Sequence, residues 1–174
     1  MTPNTPLVPA PSEWVVRCAP LIRAGGRVLD VACGAGRHAR FLAQAGFQVE
    51  AVDRDVSALG FLPGVAIRRA DLESEPWPYS AGEFDGIVVT NYLHRPLFLR
   101  LFEALAAGGV LIYETFSEGN QLLGRPRNPD YLLKSGELLE QVNGRLEVNA
   151  YEELCVLQNK RAVVQRICAL KAAR

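Results

Sequence analysis

The chain has 174 residues, of which 49% are hydrophobic and 22% charged, and its formal net charge is zero. This composition is typical of a soluble globular protein of one domain. The balanced charge provides no overall basic surface to attract nucleic acid. No apolar run approaches the roughly 20 residues that a membrane-spanning helix needs.

We expect a proline-rich tail over residues 1–11 and one domain over residues 12–174. The tail has neither the charged start nor the apolar stretch of a signal peptide, so we expect a cytoplasmic protein without a membrane partner. The cysteines lack C-x-x-C spacing, which argues against a structural zinc site and for reduced thiols, and we predict no metal. They are Cys18, Cys33, Cys155 and Cys168.

The first half of the chain alternates helix and strand patterns. Ser12 is the predicted N-cap of a helix that Gly25-Gly26 ends. The apolar face of this helix carries Trp14, Val15, Cys18, Leu21 and Ile22. Beyond it we predict a strand over Val28–Ala32, a helix over Arg37–Ala45, a strand over Gln48–Val52, a short helical segment over Arg54–Gly60 and a strand over Val65–Ala70.

The second half continues this alternation and then changes character. Phe84–Thr90 is an apolar run typical of a strand buried on both faces. Pro96 starts a helix that we extend to Ala107, because Gly108-Gly109 would end it. The elements predicted after it are a strand over Val110–Phe116, a polar loop over Ser117–Lys134, a helix from the cap Ser135 to about Val142, and a hairpin of Leu146–Leu157 and Ala162–Lys171 joined by residues 158–161.

This order of elements predicts a doubly wound α/β fold, with a mostly parallel sheet covered by helices on both faces and a C-terminal antiparallel hairpin. Such sheets bind ligands at the carboxyl ends of their strands, where the strand order reverses. A polar residue follows each of five predicted strands at or near its end. These residues are Asp30, Asp53, Asp71, Asn91 and Glu114.

The glycine-rich turn indicates a nucleotide cofactor. The segment Gly34-Ala35-Gly36-Arg37-His38-Ala39 fits the G-x-G-x-x-G/A pattern. Asp53 follows at the interval of a ribose-binding acid, with capping of the next turn as the alternative. A carboxylate at Asp30 would repel the pyrophosphate of NAD and attract a sulfonium or ammonium group. We therefore favour S-adenosylmethionine over NAD.

Five segments between residues 25 and 116 together carry a family pattern. They are Asp30 with Gly34-Ala35-Gly36, then Asp53, Asp71-Leu72, Phe84–Val89 and Gly108–Ile112. This combination resembles the class I S-adenosylmethionine-dependent methyltransferases. The resemblance implies a Rossmann-like sheet of seven strands, methyl transfer as the reaction, and S-adenosylhomocysteine as the product. Residues 91–139 resemble the small bacterial members near the tellurite-resistance type, which points to a small-molecule acceptor.

The resemblance also implies roles for individual residues. Gly34 and the neighbouring backbone would contact the methionine part, Asp53 the ribose, and Asp71 with the Leu72 amide the adenine. The whole set implied for the cofactor is Asp30, Ala32, Cys33, Gly34, Gly36, Asp53, Arg54, Asp71, Leu72 and Asn91.

The acceptor side should be formed by the loops after the fourth and fifth strands. His94 is a candidate general base with Tyr92 beside it, although His94 could instead bind the start of the next helix and Tyr92 could pack in the core. Burying an unpaired carboxylate is costly, so we expect Glu114 at an exposed rim. The candidates for substrate contact are Glu114, Phe116, Arg125 and Tyr131.

Two other functions fit parts of the same pattern. A non-catalytic S-adenosylmethionine-binding partner subunit would need the same turn and acids without an acceptor. A NAD-dependent oxidoreductase would need a substrate domain, for which the chain has little room. Methyltransferases that act on exocyclic or amide nitrogens often carry Asn/Asp-Pro-Pro-Tyr where this chain has Asn91-Tyr92-Leu93-His94. RNA methylation is a further alternative, but the neutral net charge argues against it, so nucleic acid is not an expected partner and the oligomeric state stays open.

Overall fold

One sheet of seven strands forms the centre of the protein, in a computed structural model that describes residues 9–157 and 161–173. The strands are β1 Arg27–Val31, β2 Gln48–Asp53, β3 Val65–Arg69, β4 Phe84–Thr90, β5 Leu105–Phe116, β6 Glu147–Val156 and β7 Ala162–Leu170. They lie in the order β3-β2-β1-β4-β5-β7-β6. Strands β1 to β5 are parallel, and β7 is antiparallel to both β5 and β6. The predicted Rossmann-like fold with its terminal hairpin is confirmed.

The strand order reverses between β1 and β4. From β1 the chain moves outward to β2 and β3, and then crosses back to place β4 on the other side of β1. In the register of these strands, Val31 lies beside Val52 of β2 and Val89 of β4. A crevice therefore forms beyond the carboxyl ends of β1 and β4, which is where ligands of such sheets bind.

In the described part of the chain, four α-helices cover the two faces of the sheet: α1 Glu13–Cys18, α2 Arg37–Gln44, α3 Phe98–Ala104 and α4 Glu137–Val142. Alternate side chains of the buried strands enter two apolar clusters. Trp14 of α1 and Leu42 of α2 pack in one cluster, and Leu101 of α3 and Leu138 of α4 pack in the other. Each fully buried side chain of this size contributes about 1.5–3 kcal/mol. Among the described residues, no helix is long and apolar enough to cross a membrane.

The first helix is shorter than predicted. It begins after Ser12, whose Oγ accepts a hydrogen bond from the Trp14 N–H at 3.2 Å, so the predicted cap is confirmed. It ends at Cys18 and continues as a 3-10 turn over Ala19–Leu21, because Pro20 cannot extend an α-helix. Leu21 is 44% exposed, so its predicted place on the buried face is wrong.

The helical segment predicted over Arg54–Gly60 is absent. Two aspartates form local hydrogen bonds there instead: Asp53 Oδ1 accepts from the Asp55 N–H at 3.0 Å, and Asp55 Oδ1 accepts from the Ser57 N–H at 2.9 Å. Short polar side chains that bind their own backbone in this way compete with helix formation.

The glycine pair Gly108-Gly109 lies within β5 and does not end a helix. The predicted helix Pro96–Ala107 is a 3-10 turn over Arg95–Leu97 followed by α3, and β5 already begins at Leu105. A bulge lies in this part of β5, where Gly108 has a φ of +74°. A Cβ on Gly109 would lie 3.1 Å from the carbonyl oxygen of Phe84, so the close approach of these strands requires glycine.

The remaining predictions concern the C-terminal part. Gly136, and not Ser135, is the N-cap of α4, and the Ser135 hydroxyl donates instead to Glu153 at 3.2 Å. Strands β6 and β7 confirm the predicted pair of strands. Residues 158–160 of their connection and residues 1–8 of the predicted tail lie outside the described residues.

Candidate functional site

A cavity of about 310 Å³ lies at the carboxyl ends of β1 to β4. Its volume falls at the lower end of the range of small-molecule sites. Its walls come from the segments that follow four parallel strands and from one residue of the long polar loop after β5. The lining residues are Ala32, Asp53, Arg54, Ala70, Asp71, Leu72, Glu73, Tyr92 and Tyr131.

The glycine turn is fixed against the end of β2. The N–H of Gly34 donates to Asp53 Oδ2 at 2.9 Å, and the N–H of Cys33 donates to the carbonyl of Val52 at 3.1 Å. Gly34 has a φ of +54°, which glycine adopts without strain. The structure thus brings the predicted turn and the predicted ribose-binding acid into direct contact.

Two residues other than glycine adopt left-handed backbone at the crevice. Ala32 has a φ of +51° and Asn91 a φ of +54°, and they follow the adjacent strands β1 and β4. Such residues are uncommon and cluster at functional sites, because surrounding structure must hold them. The Asn91 N–H donates to the carbonyl of Glu114 at 2.9 Å, which holds this turn in place.

Asp30 lies beneath the glycine turn and not in the cavity wall. Its side chain is 1% exposed, and its Oδ2 accepts a hydrogen bond from the Ala39 N–H of α2 at 2.9 Å. The other oxygen, Oδ1, has no hydrogen-bond partner among the described residues. Burial raises the pKa of this carboxyl to about 7. The predicted direct attraction of a cationic cofactor is therefore not the arrangement seen, because this acid binds the start of α2.

Cys33 and Gly36 also lie outside the cavity wall. Burial raises the pKa of the Cys33 thiol to about 12, so this side chain stays protonated and acts as a packing residue. A Cβ on Gly36 would lie 2.6 Å from Leu59 Cδ2, so this glycine allows the turn to pack closely on the segment after β2.

The acids after β3 form one side of the cavity. Asp71 Oδ1 accepts from the Glu73 N–H at 3.0 Å, and this hydrogen bond lowers the pKa of the Asp71 carboxyl. Sequence reasoning missed Glu73 and Ala70 as lining residues. The signal available for Glu73 was its position two residues after Asp71, within the same turn.

Two tyrosines complete the cavity from different loops. Tyr92 follows β4, and its backbone carbonyl accepts from the Tyr113 hydroxyl at 2.8 Å. Tyr131 ends a 3-10 turn over Pro129–Tyr131 and is 51% exposed. His94 is half-buried and does not line the cavity, and its carbonyl accepts from the Leu97 N–H at 3.0 Å.

Glu114 is buried, so its predicted place at an exposed rim is wrong. It is 7% exposed, and Arg166 of β7, its cross-strand neighbour, forms an ion pair with it. The Ser12 hydroxyl donates to Glu114 Oε1 at 2.8 Å. The carboxylate is thus paired, which removes the penalty on which the prediction depended. Glu114, Phe116 and Arg125 do not line the cavity.

The sequence did not predict that His38, near the glycine turn, is a buried residue with structural contacts. The Ser12 N–H donates to His38 Nε2 at 3.1 Å, and His38 Nδ1 lies 3.2 Å from the hydroxyl of Thr90. Burial lowers the pKa of His38 to about 3, so the ring is neutral. Since Nε2 accepts, the proton lies on Nδ1 and points to Thr90. The only sequence signal was its position within the glycine pattern.

The chain has measurable similarity to known proteins. The model of a methyltransferase domain family matches residues 9–160. The tRNA U34 carboxymethyltransferase of Alcanivorax borkumensis is 36% identical over 129 residues, which are 62% of this chain and 40% of that protein. The protein-L-isoaspartate O-methyltransferase of Chlorobaculum tepidum is 33% identical over 104 residues, 55% of this chain and 47% of that protein. The chain thus spans less than half the length of each of these relatives.

Solved structures show the same fold at low identity. TehB from Haemophilus influenzae superposes with a TM-score of 0.77 at 20% identity, over 97% of this chain and 64% of that chain. The 1,6-didemethyltoxoflavin-N1-methyltransferase of Burkholderia thailandensis, solved with S-adenosylhomocysteine, has a TM-score of 0.67 at 15% identity, over 91% of this chain and 76% of that chain. Because the family match covers most of the sequence, the chain belongs to the methyltransferase domain family.

Proposed function

We propose that this chain transfers a methyl group from S-adenosylmethionine to a small-molecule acceptor. The observation that carries the proposal is the cavity at the reversal of strand order, where Asp53 and Asp71 follow two consecutive parallel strands. Membership of the methyltransferase domain family supports the reaction type. The cavity volume of about 310 Å³ suits one small ligand such as the cofactor.

The cavity fits the cofactor in charge and in hydrogen bonding. Three acids, Asp53, Asp71 and Glu73, line it against one arginine, Arg54. This negative excess favours a sulfonium and an ammonium group over a pyrophosphate. The N–H of Leu72 donates to no other described residue and is available for an acceptor atom of a ligand.

The residues of the cavity divide between the parts of the cofactor. Asp53 would accept hydrogen bonds from ribose hydroxyls, and Asp71 with the Leu72 N–H would bind the adenine. When bound, S-adenosylmethionine supplies a methyl group on a positively charged sulfur with a good leaving group.

The protein then mainly has to align the acceptor and take up a proton where the acceptor carries one. Tyr92 lines the cavity and would contact the acceptor. His94 follows in the same loop, and its ring makes no hydrogen bond to another described residue. Because His94 does not line the cavity, it stays a candidate to take up a proton only from a substrate that reaches the loop after β4.

The first test is calorimetric titration with S-adenosylmethionine, S-adenosylhomocysteine and NAD in parallel. Micromolar binding of the two adenosyl compounds supports the cofactor, and binding of NAD alone would overturn it. Asp53→Asn should strongly weaken the binding of S-adenosylhomocysteine, since an amide accepts hydrogen bonds from two ribose hydroxyls less well than a carboxylate does. Asp85→Asn is the matched control, because Asp85 lies at the opposite end of β4 and pairs with Arg23 there.

A second experiment tests the acceptor. The chain is incubated with labelled methyl donor and panels of thiols, phenols and nitrogen heterocycles, with bulk tRNA and a mixture of proteins as separate arms. Label in a small molecule supports the proposal, and label only in tRNA or protein would overturn its substrate class. Cofactor binding without labelling of any panel would favour a non-catalytic partner subunit.

A further inference from the structure

Almost all N–H donors of the Arg95 guanidinium bind acceptors within the protein. Arg95 Nε and Nη2 donate to the two carboxylate oxygens of Glu137 at 2.7 and 2.9 Å. Nη1 donates to the carbonyl of Asp130 at 2.9 Å, and Nη2 donates to the carbonyl of Leu132 at 2.9 Å. A planar fork of N–H donors that binds several acceptors at once is what arginine provides and lysine does not.

The two backbone carbonyls that Arg95 binds belong to the residues on either side of Tyr131. Tyr131 is half exposed and lines the cavity, so packing alone holds it weakly. Beyond it, the Leu133 N–H donates to the carbonyl of Phe116 at 3.0 Å, which fixes the loop to the end of β5. Arg95 extends this anchoring to the segment that carries Tyr131.

Arg95 also belongs to the loop that carries the other tyrosine of the cavity. Tyr92 lies three residues before it, after β4, and its carbonyl is held by the Tyr113 hydroxyl at 2.8 Å. One guanidinium therefore joins the loop after β4 to the loop after β5, and each loop contributes one aromatic wall. Nothing in the local sequence pattern of either loop indicates this connection.

Glu137 makes the connection firm. Its side chain is 8% exposed, and Oε2 also accepts from the Lys134 N–H at 2.8 Å. Bidentate pairs of this kind are stronger and more directional than exposed pairs. Arg100 and Glu103 of α3 provide an internal comparison, because both side chains of this pair are 59% exposed and a single contact of 3.3 Å joins them. Exposed pairs contribute little.

We infer that Arg95 and Glu137 are positioning residues, whose ion pair sets the separation of Tyr131 from Tyr92 across the cavity and so its affinity for the adenosyl ligand. This inference rests on the proposed function. Neither residue lines the cavity, so each acts through the tyrosines. Losing the pair would release the Tyr131 segment while the sheet and the acids after β2 and β3 stay in place.

The test measures the Kd of S-adenosylhomocysteine by calorimetry, together with the Tm of each variant without ligand. Arg95→Met and Glu137→Gln should each weaken binding by about tenfold, since displacing a positioning group by about 1 Å can have an effect of this order. Arg95→Lys keeps the charge without the fork and should weaken binding as well. Arg100→Met is the matched control and should bind as the unaltered chain does. If Arg95→Met fails to fold, Arg95→Lys and Glu137→Gln carry the test.

A double-mutant cycle separates positioning from a general loss of stability. Tyr131→Ala removes the wall through which Arg95 acts, so adding Arg95→Met to it should not weaken binding further. Equal affinity of Arg95→Met and the unaltered chain would overturn the inference, and so would fully additive effects in the double variant. Failure of the unaltered chain to bind S-adenosylhomocysteine would instead refute the proposed function, and this inference with it.

Discussion

The backbone N–H of Ser12 donates a hydrogen bond to Nε2 of His38, at 3.1 Å. The same Ser12 donates through its hydroxyl to Glu114. One residue before α1 thus connects the start of α2 to the end of β5. The contact with Nε2 requires a neutral His38, and this requirement can be tested.

His38 should make the stability of the protein depend on pH. Its pKa lies near 3 in the folded protein against 6.5 as its ordinary value, so the unfolded chain takes up a proton that the folded one does not. The stability that His38 contributes is complete above pH 6.5 and is lost as the pH falls toward 3, by up to about 1.4 kcal/mol per pH unit. Urea unfolding of the unaltered chain and of His38→Asn at pH 7.5 and pH 5 measures this. The stability difference between them should be larger at pH 7.5, and an equal difference at both pH values would contradict the prediction.

Asp30 should have the opposite dependence. Burial raises its pKa from 3.8 to about 7, so the folded protein binds the proton more tightly than the unfolded chain does. The contribution of Asp30 is complete below pH 3.8 and is lost as the pH rises through 7. Unfolding of Asp30→Asn and of the unaltered chain is compared at pH 5 and pH 8. The unaltered chain should gain more stability relative to Asp30→Asn at pH 5 than at pH 8. An equal difference at both pH values would show that the Asp30 carboxyl does not take up a proton in the folded protein.

Removing one partner of the Glu114–Arg166 ion pair should destabilise the protein more than removing both, because a single substitution leaves a buried group unpaired. Arg166→Met leaves a buried carboxylate without its cation, which costs about 3–5 kcal/mol in free energy of unfolding. Replacing both residues, as Glu114→Met with Arg166→Met, should cost less than Arg166→Met alone. Urea unfolding of the unaltered chain and of these two variants decides the matter, and a double variant that is less stable than the single one would show that the pair itself is strongly stabilising.

The hydroxyl of Tyr113 should hold the loop of Tyr92. Tyr113 is buried, and Tyr113→Phe removes the hydrogen bond to the Tyr92 carbonyl, at a cost of about 1 kcal/mol. We also expect weaker binding of S-adenosylhomocysteine, since Tyr92 lines the cavity. Tyr151→Phe is the control, because the Tyr151 hydroxyl donates to the exposed Glu153 on β6, away from the cavity. Unchanged ligand affinity in Tyr113→Phe would show that this hydroxyl does not contribute to ligand binding.

The features that sequence reasoning predicted are those that depend on local pattern. Strands such as Phe84–Thr90 are continuous apolar runs, and the acids Asp53 and Asp71 stand at or just after strand ends, so their meeting at one edge follows from a parallel sheet. The left-handed backbone after β1 was not predicted, because alanine, the residue at position 32, is not a type that indicates this conformation. The side chains of Asp53 and Asp55 prevent a helix by accepting hydrogen bonds from nearby backbone N–H groups, which an apolar periodicity does not indicate.

The wrong or missing parts of the site depend on partners far away in the chain. Glu114 was expected at a rim because burying an unpaired carboxylate is costly, and its partner Arg166 reaches it only through the pairing of β5 with β7. Asp30 was expected to face a ligand because it stands before the glycine turn, but alternation along β1 directs it to α2. The four hydrogen bonds of Arg95 hold together two loops, and the spacing of residues in the sequence does not predict that these loops lie close together.

The position of β7 has a consequence for how the chain is made. Because β7 lies between β5 and β6, β6 leaves the ribosome before β7, the strand that attaches it to the sheet. Until residues 162–170 emerge, β5 is an open edge strand whose apolar middle has free backbone hydrogen-bonding groups, the kind of edge on which nascent chains aggregate. The sheet is therefore completed only once β7 has emerged, and the closing of that edge coincides with the pairing of Glu114 with Arg166.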